Sequence, residues 1–307
     1  MPRGGSLSEA VGDAEVNRCV LPLSERRPVS VSRNRFDASQ ERPSFDVHYG
    51  LELGIVLEGA IKRFKGKDFH VALDKGDMWF DGMWEPHGNQ VVTTPAELVV
   101  IVVWPPLLAA ARFPEAPSLS WMAPFSREGA VDVARARTRR DQILRLGAEA
   151  ASLVGRTDEL ALARLRLILF ELLLIAVESL RPAERRSATG KESSYEQLTV
   201  AINAVFSSRE PVANAQAAAL SGMSEDKFMR LFKSTMGITF SQFALRYRLS
   251  RTAQEIASTD EPVKLIAAEW GFTDQSHLHR LFIRSYGCTP VEYRRRIRRA
   301  PASSAPR

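Results

Sequence analysis

Cysteine is scarce: Cys19 and Cys288 are the only two in 307 residues. That argues against a disulfide scaffold and against a zinc site built from cysteines. Long apolar runs are also missing. The longest, Leu167 to Val177, is interrupted by Glu171, closely follows Arg164 and Arg166, and is too short to cross a bilayer. The N-terminal stretch MPRGGSLSEA has no apolar core of a secretory signal. No glycine-rich phosphate loop, Ser-His-Asp set or other nucleophile motif stands out. A cytoplasmic protein with no membrane contact, no cofactor and no enzymatic activity is expected.

What is present suits a globular chain: 45% apolar and 25% charged residues, with enough length for two domains. The net charge of +6 is unevenly placed. From Ser194 onward there are 16 basic and 10 acidic residues, while the rest of the chain is balanced at 26 of each. The whole excess sits in the C-terminal third, which suggests an anionic partner for that end.

Composition divides the chain further. Residues 1–25 read as a flexible polar arm that could couple ligand to DNA. Residues 26–115 carry short β-rich runs such as Leu53-Gly-Ile-Val-Leu and Leu98-Val-Val-Ile-Val-Val-Trp, separated by Gly and Pro. This pattern predicts an antiparallel sandwich or barrel. Residues 130–182 turn helical, as two helices broken near Gly155 and Arg156. In the second, Leu165, Ile168, Leu169, Leu172 and Ile175 are more apolar than one helix can hide on a small barrel, so this segment is expected to dimerise. Residues 183–193 read as a linker, 194–300 as short helices, and 301–307 as a disordered tail.

The helical third contains a repeat. At an offset of 50, Arg230, Leu231, Phe232, Gly237 and Thr239 recur as Arg280, Leu281, Phe282, Gly287 and Thr289. Each copy starts at a good N-cap, Ser224 or Asp274, and follows a short Ala-rich helix ending at Gly222 or Gly271. A short helix, a glycine turn and a capped second helix make a helix-turn-helix unit. Periodicity sends Phe228, Leu231 and Phe232 inward in the first unit, and Leu278, Leu281 and Phe282 in the second. Asp226, Met229, Arg230 and Lys233 then face outward, as do Gln275, Ser276, His279 and Arg280. Gln, Ser, His and Arg near a helix N-terminus can hydrogen-bond base edges in a major groove. Between the units, a helix of about 17 residues would span about 26 Å, close to the ~34 Å of one DNA turn. Arg284, and the run Arg294-Arg-Arg-Ile-Arg-Arg, could meet phosphates.

The stretch Ile266-Ala-Ala-Glu-Trp-Gly-Phe-Thr-Asp-Gln-Ser-His-Leu-His-Arg-Leu-Phe, with Gly287-Cys-Thr-Pro-Val-Glu-Tyr-Arg294, resembles the signature of the AraC/XylS family of bacterial regulators. The resemblance implies seven helices, two helix-turn-helix units per subunit, double-stranded DNA and RNA polymerase as partners, and an activator. The residues themselves do not distinguish activation from repression. The family's base-facing positions fall on Asp226, Met229 and Arg230, then on Gln275, Ser276, His279 and Arg280. Glu225-Asp226 departs from the pattern by placing acid where the first recognition helix should meet DNA. Asp could accept from cytosine N4, or phosphate repulsion could weaken this unit.

The β-rich part resembles the cupin barrel with which many members of that family bind an effector. Asp46, His48, Glu52, Gly59, Gly76-Asp77 and His87 follow the spacing of the two cupin motifs. Asp46, His48, Glu52, Trp84 and His87 are therefore the expected effector-binding residues. Asp46, His48, Glu52 and His87 form an alternative metal set. Gly82 and Trp84 replace the second motif's Pro and Gly. The expected whole is an α+β protein: a cupin-like antiparallel barrel, a helical dimerisation segment, and an all-α domain with two helix-turn-helix units. A small-molecule-responsive homodimeric regulator is favoured. A metal-dependent cupin enzyme fused to a DNA-binding domain, and a constitutive regulator using the barrel as scaffold, stay open.

Overall fold

The computed structural model describes residues 16–18, 21, 23–65, 69–111, 113–116, 119–125, 136–180, 194–236, 238–272 and 274–299. Most of the arm, the linker and the tail thus lie outside the described residues. Apart from Arg18–Pro22, the chain forms one compact unit through Ser193 and a second from Ser194.

The first unit is built on one seven-stranded sheet. Its strands are β1 (Val16–Arg18), β2 (Val29–Phe36), β3 (Ser44–Val47), β4 (Leu51–Lys65), β5 (Phe69–Asp74), β6 (Met78–Asp81) and β7 (His87–Val103). The two long strands, β4 and β7, run antiparallel over their whole length, from Leu51 opposite Val103 to Lys65 opposite His87. β7 also takes β2 along its second half and β3 along its first. β4 takes β6 along its first half and β5 along its second. The expected closed barrel is not formed. The hydrogen-bonded path β1–β3–β7–β4–β5 stays open, with β2 and β6 as side branches. Each short strand pairs with only one half of a long strand, so the sheet folds over without a continuous seam.

The fold point is a bulged stretch of β4, where the register against β7 shifts between Val56 and Ile61. Gly59 sits there at φ 76°, a conformation that suits a residue without Cβ. Each one-residue shift exchanges the two faces of a strand. Beyond the bulge, Ile61 and Arg63 point into the sheet and Lys62 points out.

Helices α1 (Pro105–Ala110), α2 (Arg140–Ser152) and α3 (Glu159–Glu178) follow the sheet. Arg137, just before α2, clamps the buried carboxylate of Asp77 at 2.8 and 2.6 Å and ties the helical segment to the β5–β6 turn. Asp158 caps α3 by accepting from the Ala161 N–H. Leu165, Ile168, Leu169, Leu172 and Ile175 are all at most 3% exposed. They are core of their own unit, so the expectation that they form a dimer surface is corrected. Beside them, Phe170 meets Trp121 edge-on at 5.2 Å, so the segment between α1 and α2 packs on this side of α3.

The second unit runs α4 (Ser194–Ser207), α5 (Asn214–Leu220), α6 (Glu225–Met236), α7 (Phe240–Ser258), α8 (Val263–Glu269), α9 (Gln275–Tyr286) and α10 (Pro290–Arg299). Thr239 and Gln242 form a reciprocal capping box at the start of α7. The unit has two cores joined by α7. Phe228, Phe232, Phe240 and Phe243 pack mostly edge-to-face in the first. Ile256, Ile266, Leu278, Phe282 and Tyr293 belong to the second. Among the described residues no helix is long and apolar enough to cross a membrane.

Candidate nucleic-acid interface and a buried charge network

α5 and α6 form the first helix-turn-helix unit, α8 and α9 the second. In each, two aromatic or aliphatic residues one turn apart anchor the second helix: Phe228 and Phe232 in α6, Leu278 and Phe282 in α9, all fully buried. Leu231 and Leu281 are half-buried at the edge of the same faces. That anchoring decides what remains outside. Gln275, Ser276, His279, Arg280 and Arg284 on α9 are exposed, as are Asp226, Arg230 and Lys233 on α6. Met229 is half-buried and offers only part of its side chain.

The two helix starts differ electrostatically. Asp274 caps α9 by accepting from the Ser276 N–H at 2.8 Å, and its carboxylate lies 3.8 Å from the Arg280 guanidinium. α6 has Glu225 and Asp226 in its first turn, two negative charges at the end that would enter a groove. α7, with 19 residues, extends about 28 Å between the units, the scale of one DNA turn.

The first unit holds a different constellation. Glu52 is buried in the folded sheet, and both oxygens of its carboxylate have polar partners. Oε1 accepts from Arg63 Nη2 at 2.6 Å and from Trp79 Nε1 at 2.9 Å. Oε2 lies 3.2 Å from His48 Nε2 and 3.3 Å from His87 Nε2. The other ring nitrogens face carbonyls: His48 Nδ1 is 3.1 Å from the Gly50 oxygen and His87 Nδ1 is 2.7 Å from the Glu85 oxygen. A carbonyl can only accept, so His87 Nδ1 donates to Glu85, whereas a His48 ring with one proton gives it either to the Gly50 oxygen or to Glu52. Arg63 also bonds the fully buried Asp81, which Lys65 approaches at 3.7 Å.

Burial, the largest influence on Glu52, disfavours its anion, yet His87, Arg63 and the His48 hydrogen bond outweigh it and hold the carboxyl well below its usual range. Burial likewise works against a charged His87, but Glu52 and Asp81 raise it to about 9. Two buried carboxylates therefore face the Arg63 guanidinium and the His87 imidazolium, with Lys65 beside Asp81 at the edge.

Of the expected effector set, His48, Glu52 and His87 come together, with ligand-capable atoms within 4.8 Å of one another. Asp46 does not join them; it is half-buried opposite His87 on β3, where its charge favours the Arg63 cation. The alternative four-residue metal set is corrected to three. Trp84 is buried at φ 60°, its backbone N–H bonded to the His48 oxygen at 2.8 Å, its ring tilted against Tyr49. Arg63 and Asp81 were not expected. Charged residues in a strand ordinarily read as solvent-facing, and only the bulge at Gly59 turns Arg63 inward.

Tandem helix-turn-helix units, with polar faces presented from two aromatic-anchored helices on one helical body, define a DNA-binding regulator domain. The Helix-turn-helix domain family matches residues 217–296. SoxS, a regulatory protein of Salmonella typhimurium, is 31% identical over 77 residues, which are 25% of this chain and 72% of SoxS. The chain belongs to the AraC family of helix-turn-helix regulators. The transcriptional activator RclR of Escherichia coli is 37% identical over 81 residues, 26% of this chain and only 28% of RclR's own length. A ligand-bound ToxT from Vibrio cholerae shares the fold across 88% of this chain and 99% of its own, with a TM-score of 0.53 at 9% identity.

Proposed function

We propose that the protein is a sequence-specific transcription regulator that engages successive major grooves with α6 and α9, contacts RNA polymerase as an activator, and senses a small molecule in its first unit. The repeated unit carries this reading: two helices anchored alike, each turning charged or amide side chains outward, in the part of the chain that holds all the excess positive charge. The second unit supplies most of the base readout, because the acid at the start of α6 faces phosphate repulsion. Arg280 is the strongest base-reading candidate, and Arg284 a phosphate contact.

The test is fluorescence anisotropy of the full chain on an operator selected from random duplexes. Arg280→Ala is expected to lose about 1–3 kcal/mol on that operator and little on random DNA. Equal losses on both would place Arg280 on phosphate alone. Repeating the titration with small polar metabolites examines sensing: one chemical class that shifts the affinity supports it, and an unchanged affinity across the panel leaves the sheet a scaffold. Two buried donors favour the sensor reading, since Arg63 Nε and Trp84 Nε1 have no hydrogen-bond partner.

A homodimer is proposed through the outer face of α3 rather than through the buried leucines. Leu160, Leu167 and Leu174 are 82%, 61% and 42% exposed and recur every seven residues, the spacing of a helix-pairing seam. Leu167→Glu is expected to convert a dimer to the 34.2 kDa monomer in sedimentation equilibrium. An unchanged mass would reject this seam.

A further inference from the structure

We propose that Arg248 and Trp270 form a positioning clamp that fixes the second reading helix against the first half of the domain, so that the two units engage DNA only at one separation. The inference rests on the DNA-reading function proposed above, and it concerns residues that touch no base.

The turn of the second unit, Trp270 to Phe272, follows α8, which has only seven residues and no side-chain cap at its start. Such a helix has little stability of its own. Its C-terminal carbonyls are held from α7: Arg248 donates from Nε to the Trp270 oxygen at 3.0 Å and from Nη2 to the Gly271 oxygen at 3.2 Å. The same guanidinium lies 4.5 Å over the Phe272 ring. Burial works against its charge, with Glu210 partly offsetting.

Trp270 closes the clamp from the other side. Its indole Nε1 donates to Glu255 on α7 at 2.6 Å. The Arg209 guanidinium stacks over its ring at 5.4 Å. Arg209 belongs to the loop between α4 and α5 in the first half, and it pairs there with Glu269 of α8. Pro211 of that loop lies so near the turn that a Cβ on Gly271 would come within 2.6 Å of its Cδ, and Gly271 takes φ 65°. The loop leading into the first unit, the middle of α7 and the turn of the second unit therefore meet at one place. Each half already has its own core, so these contacts add fixed geometry between halves.

The experiment uses the full chain with Cys19→Ser and spin labels at Lys233→Cys and Arg284→Cys, leaving the buried Cys288 in place. Electron–electron distance measurement on the parent is expected to give one narrow distribution. Arg248→Ala should at least double its width, Arg248→Lys should restore part of the sharpness, and circular dichroism should stay that of the parent. If Arg248→Ala fails to fold, Trp270→Phe serves instead, since it keeps the ring and removes the bond to Glu255. A broad parent distribution, or a folded variant as narrow as the parent, overturns the clamp. On DNA, one base pair inserted between the two contacted grooves should cost the parent about tenfold in affinity, and the folded clamp variant under about threefold. A parent that selects no DNA sequence refutes the DNA reading, and the label distances still decide the clamp.

Discussion

Arg63→Met is expected to destabilise the first unit by about 3–5 kcal/mol, because it leaves two buried carboxylates without their shared cation. Arg63 is 3% exposed and bonds both Glu52 and the fully buried Asp81. Methionine fills much of the same volume, so the loss is electrostatic and not a cavity. Urea unfolding of the full chain, followed by tryptophan fluorescence with Trp270→Phe so that only the four tryptophans of the first unit report, would measure it. Adding Glu52→Gln and Asp81→Asn to the same chain should recover much of the loss, since both carboxylates are then neutral and His87, no longer held charged by them, can give up its proton. A cost below about 1 kcal/mol for the single substitution would mean that water reaches the network and screens it, against the burial described here.

The second large effect is a dependence on pH. His87 is raised to about 9 from an ordinary value of 6.5, so the folded state holds its proton more tightly than the unfolded chain does. The resulting stabilisation is complete below pH 6.5 and is lost as pH rises through 9, on the order of 3 kcal/mol in all. Glu52 acts with the opposite sign. Its depressed carboxyl contributes stability above pH 4.5, and this fades as pH falls further. Denaturant midpoints between pH 4 and 10 should therefore peak in the mildly acidic range. His87→Gln should flatten the alkaline limb; an alkaline limb of unchanged slope in that variant would assign the effect to another group.

Legibility in the sequence followed the kind of order each part uses. The helix-turn-helix units were readable because their cores repeat locally: Phe228 and Phe232, Leu278 and Phe282 sit four residues apart, and burial of those pairs alone orients each helix. The buried network depends on long-range register. Glu52 and Arg63 are an odd number of positions apart, and simple alternation would put them on opposite faces; the bulge at Gly59 brings them together. Asp46 misled for a related reason. It shares strand parity with His48, but β3 ends at Val47, and His48 lies beyond it, turned by its bond to Gly50. In α3 the apolar residues wrap most of the circumference, so periodicity could not tell the face that meets the sheet from the face with Leu160, Leu167 and Leu174.

The topology of the sheet also dictates an order of assembly. β4 can pair with β5 and β6 as soon as they exist, but β2 waits for partners between Ala96 and Val103, more than sixty residues downstream. Closing such distant pairs is slow compared with forming contiguous helices. During synthesis the early strands stand with open edges until β7 has been made, the stage at which a β-rich chain is most prone to associate wrongly. The helices of the second unit emerge last, and each helix-turn-helix core closes between neighbours along the chain. The half synthesised first thus carries the slower assembly, and has the time in which the rest of the chain is made to complete it.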